Sequence, residues 1–165
     1  MASHDALTGL PNRAEAWKWL DKRYAIRNVQ HGPADCTVFY CDLDGFKQVN
    51  DQFGHHAGDK VLKEACRRMK DTLFVRDLIA RIGGDEFMVS VDGLLDDEKA
   101  LAVAQRMIDV VSVPIEDGDN RYHIGVTIGI AHSRQHPESV EALVNGADSA
   151  MYVAKRGGKG RAAIA

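Results

Sequence analysis

The chain has little of what marks secreted, membrane-spanning or nucleic-acid-binding proteins. Its three cysteines, Cys36, Cys41 and Cys66, are an odd number without CxxC spacing, which argues against a disulfide framework and a zinc site. No apolar run approaches the roughly 20 residues that a membrane span needs, and no signal peptide is visible. A net charge of −3 provides no basic field for nucleic acid or an anionic membrane. We therefore expect a cytoplasmic protein with reduced, buried thiols.

The composition that remains is typical of one folded domain. Hydrophobic residues make up 45% of the chain and charged residues 27%, as in ordinary globular proteins. A length of 165 residues fits a single domain, which we place at residues 1–165, and leaves little for a second. Because the net charge is slightly negative, a polyanionic substrate would need a locally basic or metal-charged pocket.

Hydrophobic periodicity predicts strands and helices that interleave around one sheet, an α/β or α+β fold. The predicted helices start after residue 12 and cover about 60–69, 98–111 and 140–154, and the predicted strands cover 38–41, 78–82, 87–91 and 124–131. Gly32 and Pro33 are predicted to end the first helical region. In the last strand, bulky residues alternate with small ones from Gly125 to Ala131. We expect a helix or a ligand to approach this small face closely.

Two acidic clusters stand where apolar strands end. Asp42 and Asp44 follow the first strand, and Asp85 and Glu86 occupy the turn of the predicted hairpin. If these elements are neighbours, the carboxylates converge and repel one another unless a cation lies between them. Hard oxygen ligands suit Mg²⁺ or Mn²⁺. The alternative, that these are solvated acids in turns, stays open at this point.

Other candidate residues are ambiguous when taken alone. Residues 45–47 could present backbone N–H groups to a phosphate, but they lack Walker A spacing. Asn50 fits a turn, and Asp59 near a helix start fits the helix dipole. Lys155 and Lys159, in a glycine-rich stretch after the last helix, are either partners of the dipole or phosphate contacts.

Four sequence blocks in order cover essentially the whole chain. They are DALTGLPNR (residues 5–13), DLDGFKQVND with the following GH and GD pairs (42–59), GGDEF (83–87) and ADSAMYVAK (147–155). Together they resemble the GGDEF family of diguanylate cyclases. The resemblance implies a central, mostly antiparallel sheet wrapped by helices, similar to nucleotide cyclases and the polymerase palm. It also implies a bacterial cytoplasmic enzyme that condenses two GTP into cyclic di-GMP and pyrophosphate.

The resemblance implies roles for individual residues. Metal binding falls to the carboxylates of Asp42 and Asp85 and the backbone carbonyl of Leu43. The catalytic acids are Asp85 and Glu86. The substrate-binding residues are Gly45, Phe46 and Lys47 for phosphate through their backbone, Asn50 and Asp59 for guanine, and Lys155 and Lys159 for phosphate through their side chains.

The implied chemistry is attack of a ribose 3′-hydroxyl on an α-phosphate. Two Mg²⁺ or Mn²⁺ ions per active site would neutralise the polyphosphate and activate the hydroxyl, and Asp85 is placed to assist proton removal. Each domain holds one GTP, so a homodimer is expected. The alternative is a weakly catalytic GTP-binding module that regulates a fused domain. We expect the chain to be a domain of a longer signalling protein.

Three positions depart from the family pattern. Asp77 fits the end of the RxxD motif of the inhibitory product site, but Phe74 stands in place of the arginine, so we expect a degenerate site. Gly45 replaces a larger residue, which is expected to leave its backbone contact unaffected. Gly160 replaces a frequent asparagine, which is expected to weaken the contact of the C-terminal tail.

Overall fold

A computed structural model of the chain describes residues 2–30, 34–93 and 96–165. The predicted helix end at Gly32 and Pro33 lies outside these residues. The helices are α1 (Arg13–Gln30), α2 (Phe46–Phe53), α3 (His55–Asp71), α4 (Asp97–Val111) and α5 (Val140–Arg156). The strands are β1 (Cys36–Asp44), β2 (Leu78–Gly83), β3 (Glu86–Asp92), β4 (Ile115–Asp117), β5 (Asn120–Tyr122), β6 (Gly125–His132) and β7 (Ala162–Ile164). None of the helices described is long and apolar enough to cross a membrane.

The main sheet has five strands in the order β2-β3-β1-β6-β7. All neighbouring strands are antiparallel except β6 and β7, which run parallel. The predicted mostly antiparallel sheet is therefore confirmed, and β1 lies at its centre. Strands β4 and β5 form a separate small hairpin. These two strands and β7 were not predicted, because three residues are too few to show a period of two.

Two layers of helices enclose the sheet. Alternate residues of β1 point to opposite faces. Phe39 and Leu43 lie in the core that α3 and α4 complete, whereas Val38 and Tyr40 lie in the core that α1 and α5 complete. By the same alternation, the side chains of the two aspartates at the end of β1 point towards α5.

The small face of β6 allows α5 to approach the sheet closely, as the sequence predicts. A Cβ atom placed on Gly129 would lie 1.9 Å from the carbonyl oxygen of Ala147 and 2.2 Å from the backbone nitrogen of Met151. Only a residue without a side chain fits beneath this helix. The close packing fixes the height of α5 above β1, and with it the position of the last turn of α5.

Gly129→Ala is expected to lower the free energy of unfolding by about 3 kcal/mol, because the added methyl group overlaps backbone atoms that cannot rotate away. Gly125→Ala on the same strand is the control, since its Cβ would make an ordinary contact 3.6 Å from the Asp44 carboxylate. Urea unfolding followed by circular dichroism compares the two variants. Equal stability would contradict the close approach of α5.

Candidate active site

The two acidic clusters of the sequence meet at one end of the sheet. Asp42 at the end of β1 is directly opposite Glu86 at the start of β3. The backbone N–H of Leu43 donates to the carbonyl oxygen of Asp85 at 3.1 Å. The structure thus brings together Asp42, Leu43, Asp85 and Glu86, because antiparallel pairing sets the end of β1 beside the turn that precedes β3.

Lys155, in the last turn of α5, is the cation that contacts this cluster. Its Nζ atom lies 2.6 Å from Oδ2 of Asp42 and 3.6 Å from Oδ1 of Asp44. Burial alone would lower the pKa of Lys155, but the hydrogen bond to Asp42 and the nearby carboxylates raise it above its ordinary value. Lys155 therefore stays charged and offsets part of the repulsion among the acids.

The acids of the β2–β3 hairpin are harder to ionise than usual. Burial and the negative charge of Asp42 raise the pKa of Asp85 to about 6. Burial, followed by the charges of Asp42 and Asp148, also raises the pKa of Glu86. Glu86 additionally accepts a hydrogen bond from the Tyr40 hydroxyl at 3.4 Å. A shifted carboxyl beside a like charge is typical of a site that holds a further cation or moves a proton.

The donor atoms fit a hard cation that the protein coordinates only in part. Within the described ranges, no group of three or more His, Cys, Asp or Glu side chains is placed to hold a metal ion. Oδ1 of Asp42 is buried and has no hydrogen-bond partner among the described residues. With the Asp85 carboxylate and the Leu43 carbonyl it offers oxygen ligands only. Such a set suits Mg²⁺ or Mn²⁺, whose remaining ligands come from water and substrate phosphate.

A glycine turn at the start of α2 adjoins these carboxylates. Gly45 has φ +85° and stands directly before α2, with no side chain to cap the helix. The first N–H groups of α2, from Phe46 and Lys47 onward, lack intrahelical acceptors and suit an anion. A Cβ atom at Gly45 would lie 3.1 Å from the carbonyl oxygen of His123. Together with the positive φ, this contact favours glycine over a residue with a side chain at position 45.

The two predicted guanine-binding residues come from neighbouring helices. Asn50 lies on α2 and Asp59 on α3, which begins five residues before the predicted start at 60. A Cβ atom on Gly58 would lie 1.7 Å from Oδ1 of Asn50, so the carboxamide rests directly on this glycine. The structure thereby sets Asn50 beside the residue that precedes Asp59. The sequence did not indicate a role for Gly58, because the helix predicted from residue 60 left this glycine outside it.

The C-terminal tail returns to the site through its backbone. Lys159 has φ +59°, a left-handed conformation that is unfavourable for a residue with a side chain. The N–H of Gly160 donates to Oδ2 of Asp44 and to Oγ1 of Thr127, each at 3.0 Å. The anchoring group is thus a backbone N–H, which does not need an asparagine side chain, and the weaker contact of the tail with substrate stays a prediction.

Residues 74–77, at the position of the family's product site, depart from the RxxD pattern in their contacts as well as in their sequence. Residues 74–77 form a turn, in which the Asp77 carboxylate accepts from the Phe74 N–H at 2.8 Å. The Phe74 ring is 66% exposed, and the Arg76 guanidinium lies 5.2 Å from its centre. Arg81 is bound to Asp5 and to the Gly84 carbonyl oxygen. Neither arginine donates to Asp77 in this arrangement of the described residues.

The fold is a mostly antiparallel sheet wrapped by helices, with a cluster of carboxylates at one end of its central strands. The sequence matches the diguanylate cyclase GGDEF domain family over residues 2–161, and the chain belongs to that family. It is 39% identical over 165 residues to the diguanylate cyclase TpbB of Pseudomonas aeruginosa, covering 99% of this chain and 38% of TpbB. The chain thus spans well under half the length of this relative.

Three further comparisons are informative. A solved structure of the isolated TpbB GGDEF domain superimposes with a TM-score of 0.90, covering 98% of this chain and 94% of that one. The GGDEF domain of DgcB from Caulobacter crescentus, solved in complex with c-di-GMP, gives a TM-score of 0.90 at 27% identity, covering 99% of this chain and 96% of that one. The cyclic di-GMP phosphodiesterase PdeR of Escherichia coli is 36% identical over 162 residues, which are 98% of this chain and 24% of PdeR. Domains of this fold therefore occur in proteins named for synthesis and for hydrolysis of cyclic di-GMP.

Asp85→Asn is expected to be more stable than the unmodified chain at about pH 8 without metal. A carboxyl whose pKa is raised in the folded state opposes folding above that pKa, and the penalty disappears as the pH falls towards the unfolded value. We expect a difference on the order of 1 kcal/mol, reduced by solvent screening, that vanishes near pH 4. Thermal unfolding in EDTA from about pH 4 to 8 measures it, and a gap that widens on acidification would contradict the shift of Asp85.

Proposed function

We propose that the chain is a diguanylate cyclase domain that condenses two GTP into cyclic di-GMP with release of two pyrophosphates. One observation carries the proposal. Asp42, the Leu43 backbone and Asp85 lie together at one end of the sheet, beside the start of α2 at Gly45. This combination supplies acidic metal ligands and a phosphate-binding turn within a few residues of each other. The match over residues 2–161 shows that the chain belongs to the diguanylate cyclase GGDEF domain family.

The substrate would be held at its two ends. Asp59 would accept from the N1–H and 2-amino groups of guanine, while the amide of Asn50 would pair with the remaining edge. The free N–H groups at the start of α2 would bind phosphate. Lys155 and Lys159 would contribute positive charge from the other side. Adenine lacks the N1–H and the 2-amino group, so we expect preference for GTP over ATP, at about 1–3 kcal/mol per unpaired buried group.

The residues of this chain would then orient and deprotonate the nucleophile. Asp42, the Leu43 carbonyl and Asp85 would hold two Mg²⁺ or Mn²⁺ ions, which when bound neutralise polyphosphate charge and acidify the 3′-hydroxyl. Asp85, with its pKa near 6, is ionised at neutral pH and can accept the hydroxyl proton. Glu86 would keep the local potential negative and favour the cations. Since one domain would hold one GTP, two domains must face each other, and we propose a homodimer.

A second candidate function is a regulatory GTP-binding module with little turnover. The similarity to the phosphodiesterase PdeR favours it, because a GGDEF domain there forms part of a protein named for the opposite reaction. The two functions share the binding residues and differ in whether product forms. Product detection therefore separates them, whereas a binding assay alone does not.

Asp85→Ala is expected to abolish cyclic di-GMP formation while the domain still folds. The variant loses a proposed metal ligand and the proposed base, and it also removes the repulsion between Asp85 and Asp42, so the fold should persist. Incubation of concentrated protein with GTP and Mg²⁺ or Mn²⁺, with mass detection of products, measures the loss. Turnover at near the unmodified rate would remove the metal assignment, and metal-dependent GTP binding without product in the unmodified chain would favour the regulatory module.

Gly58→Ala is expected to weaken GTP binding by about tenfold or more, because its methyl group would displace the Asn50 carboxamide. Helix propensity works in the opposite direction, since alanine favours helices over glycine. The matched control is Gly146→Ala in α5, whose Cβ would lie 2.6 Å from the His136 ring rather than against Asn50. Calorimetric titration with GTP compares the two. Unchanged affinity in Gly58→Ala would contradict the placement of Asn50 at the guanine.

Cyclic di-GMP is expected to bind weakly at the surface around Phe74 and Asp77. The Asp77 carboxylate is negative and already accepts from a backbone N–H, while Phe74 supplies no donors to the phosphates of the product. Calorimetric titration of cyclic di-GMP into the Asp85→Ala variant measures the affinity with turnover blocked. Tight binding of several product molecules per domain that Asp77→Ala abolishes would show that the site is intact.

A further inference from the structure

Asp44 has contacts that the proposed chemistry does not use. Its side chain is largely buried at the end of β1, 13% exposed. Oδ2 accepts from the Thr127 hydroxyl at 2.7 Å and from the Gly160 N–H at 3.0 Å, and the Thr127 oxygen also accepts from this N–H at 3.0 Å. These three groups form one hydrogen-bond cluster, which joins β1, β6 and the C-terminal tail.

The tail needs such an anchor because its conformation is costly. Gly158, Lys159 and Gly160 all have positive φ, at 130°, 59° and 57°. Glycine accepts this geometry, but Lys159 does so only where surrounding contacts enforce it. Lys159 is exposed, so packing of its side chain does not enforce the turn. The Lys159 N–H donates to the Ala154 carbonyl oxygen at 3.3 Å, and the next residue, Gly160, adds two shorter hydrogen bonds, to Asp44 and Thr127.

We infer that Asp44, with Thr127, is a positioning residue that holds both phosphate-contacting lysines of the proposed active site. Its Oδ2 locks the turn that presents Lys159, and its Oδ1 lies 3.6 Å from the ammonium of Lys155. Asp44 therefore acts through the lysines. This inference rests on the proposed function, because it takes the triphosphate of GTP as the group that the lysines contact.

The competing role for Asp44 is that of a third metal ligand, since it stands two residues after Asp42. The two roles predict different behaviour for one variant, Asp44→Asn. An amide keeps an oxygen acceptor for the Gly160 N–H but is a much poorer ligand for Mg²⁺. A positioning role therefore predicts that Asp44→Asn keeps Mn²⁺ affinity and most of the GTP affinity, whereas a ligand role predicts that both fall.

A test without nucleotide follows the Gly160 amide of the full chain. Hydrogen exchange of this amide, measured by NMR, is expected to accelerate at least about tenfold in Asp44→Ala and to change little in Asp44→Asn. Thr127→Val is the matched partner variant, because valine keeps the β-branched shape and removes only the hydroxyl. It is expected to accelerate exchange to an intermediate degree. Exchange that is equal in all four proteins would overturn the anchoring.

A test with nucleotide compares GTP with GMP, which shares the guanosine and lacks the β- and γ-phosphates. Asp44→Ala is expected to weaken GTP binding about tenfold and GMP binding less than about twofold. In a Lys159→Ala background, Asp44→Ala is expected to weaken GTP binding by a smaller factor than in the unmodified chain, since the two residues act through one contact. Equal losses for GTP and GMP, or lost Mn²⁺ affinity in Asp44→Asn, would overturn the positioning role.

The outcomes also separate this inference from the proposed function. If the unmodified chain binds GTP and forms cyclic di-GMP while Asp44→Ala behaves identically, the inference is wrong and the function stands. If the unmodified chain does not bind GTP with Mg²⁺ or Mn²⁺, the proposed function is wrong and the phosphate role of Asp44 falls with it.

Discussion

The structure depends on how it balances negative charge at the ends of two central strands. Asp42 lies opposite Glu86 because β1 pairs with β3, Asp85 precedes β3 in the hairpin turn, and Asp44 follows two residues after Asp42 at the end of β1. Like charges in a partly buried site raise the free energy of the folded chain. Lys155 offsets part of this repulsion, while burial and the charge of Asp42 still raise the pKa of Asp85.

Packing of α5 makes that compensation possible. Lys155 reaches Asp42 only because α5 lies close to β6, and α5 lies close only because Gly129 has no side chain. Gly129 lies opposite Tyr40, whose hydroxyl donates to Glu86, but it carries no charge and would look purely structural in isolation. The charge balance of the site therefore depends on how closely α5 packs against β6 in the core. Substitutions on the small face of β6 should accordingly change the site before they change the overall fold.

The sequence predicted most of the sheet and most of the helices because their apolar periods are long enough to read. It also predicted that the acids of residues 42–44 and 85–86 converge, since both clusters follow or connect strands. It did not reveal the role of Thr127, which reads as one of several small residues on β6, nor the contact of Gly58 with Asn50. Both depend on which elements become neighbours, and a local pattern carries no information about that. The left-handed turn at Lys159 was likewise hidden, because the Gly160 N–H that follows it is bound to Asp44 and Thr127, which are distant in the sequence.

We propose that the carboxylate cluster binds a cation beyond Lys155, and that Asp85 loses a proton when this cation binds. Calorimetric titration of Mn²⁺ at about pH 6, in two buffers of different ionisation enthalpy, counts the protons released. We expect release of a sizeable fraction of a proton at that pH, falling to none at about pH 8, where Asp85 is already ionised. Mn²⁺ binding without proton release near pH 6, or equally tight binding by Asp85→Asn, would contradict it.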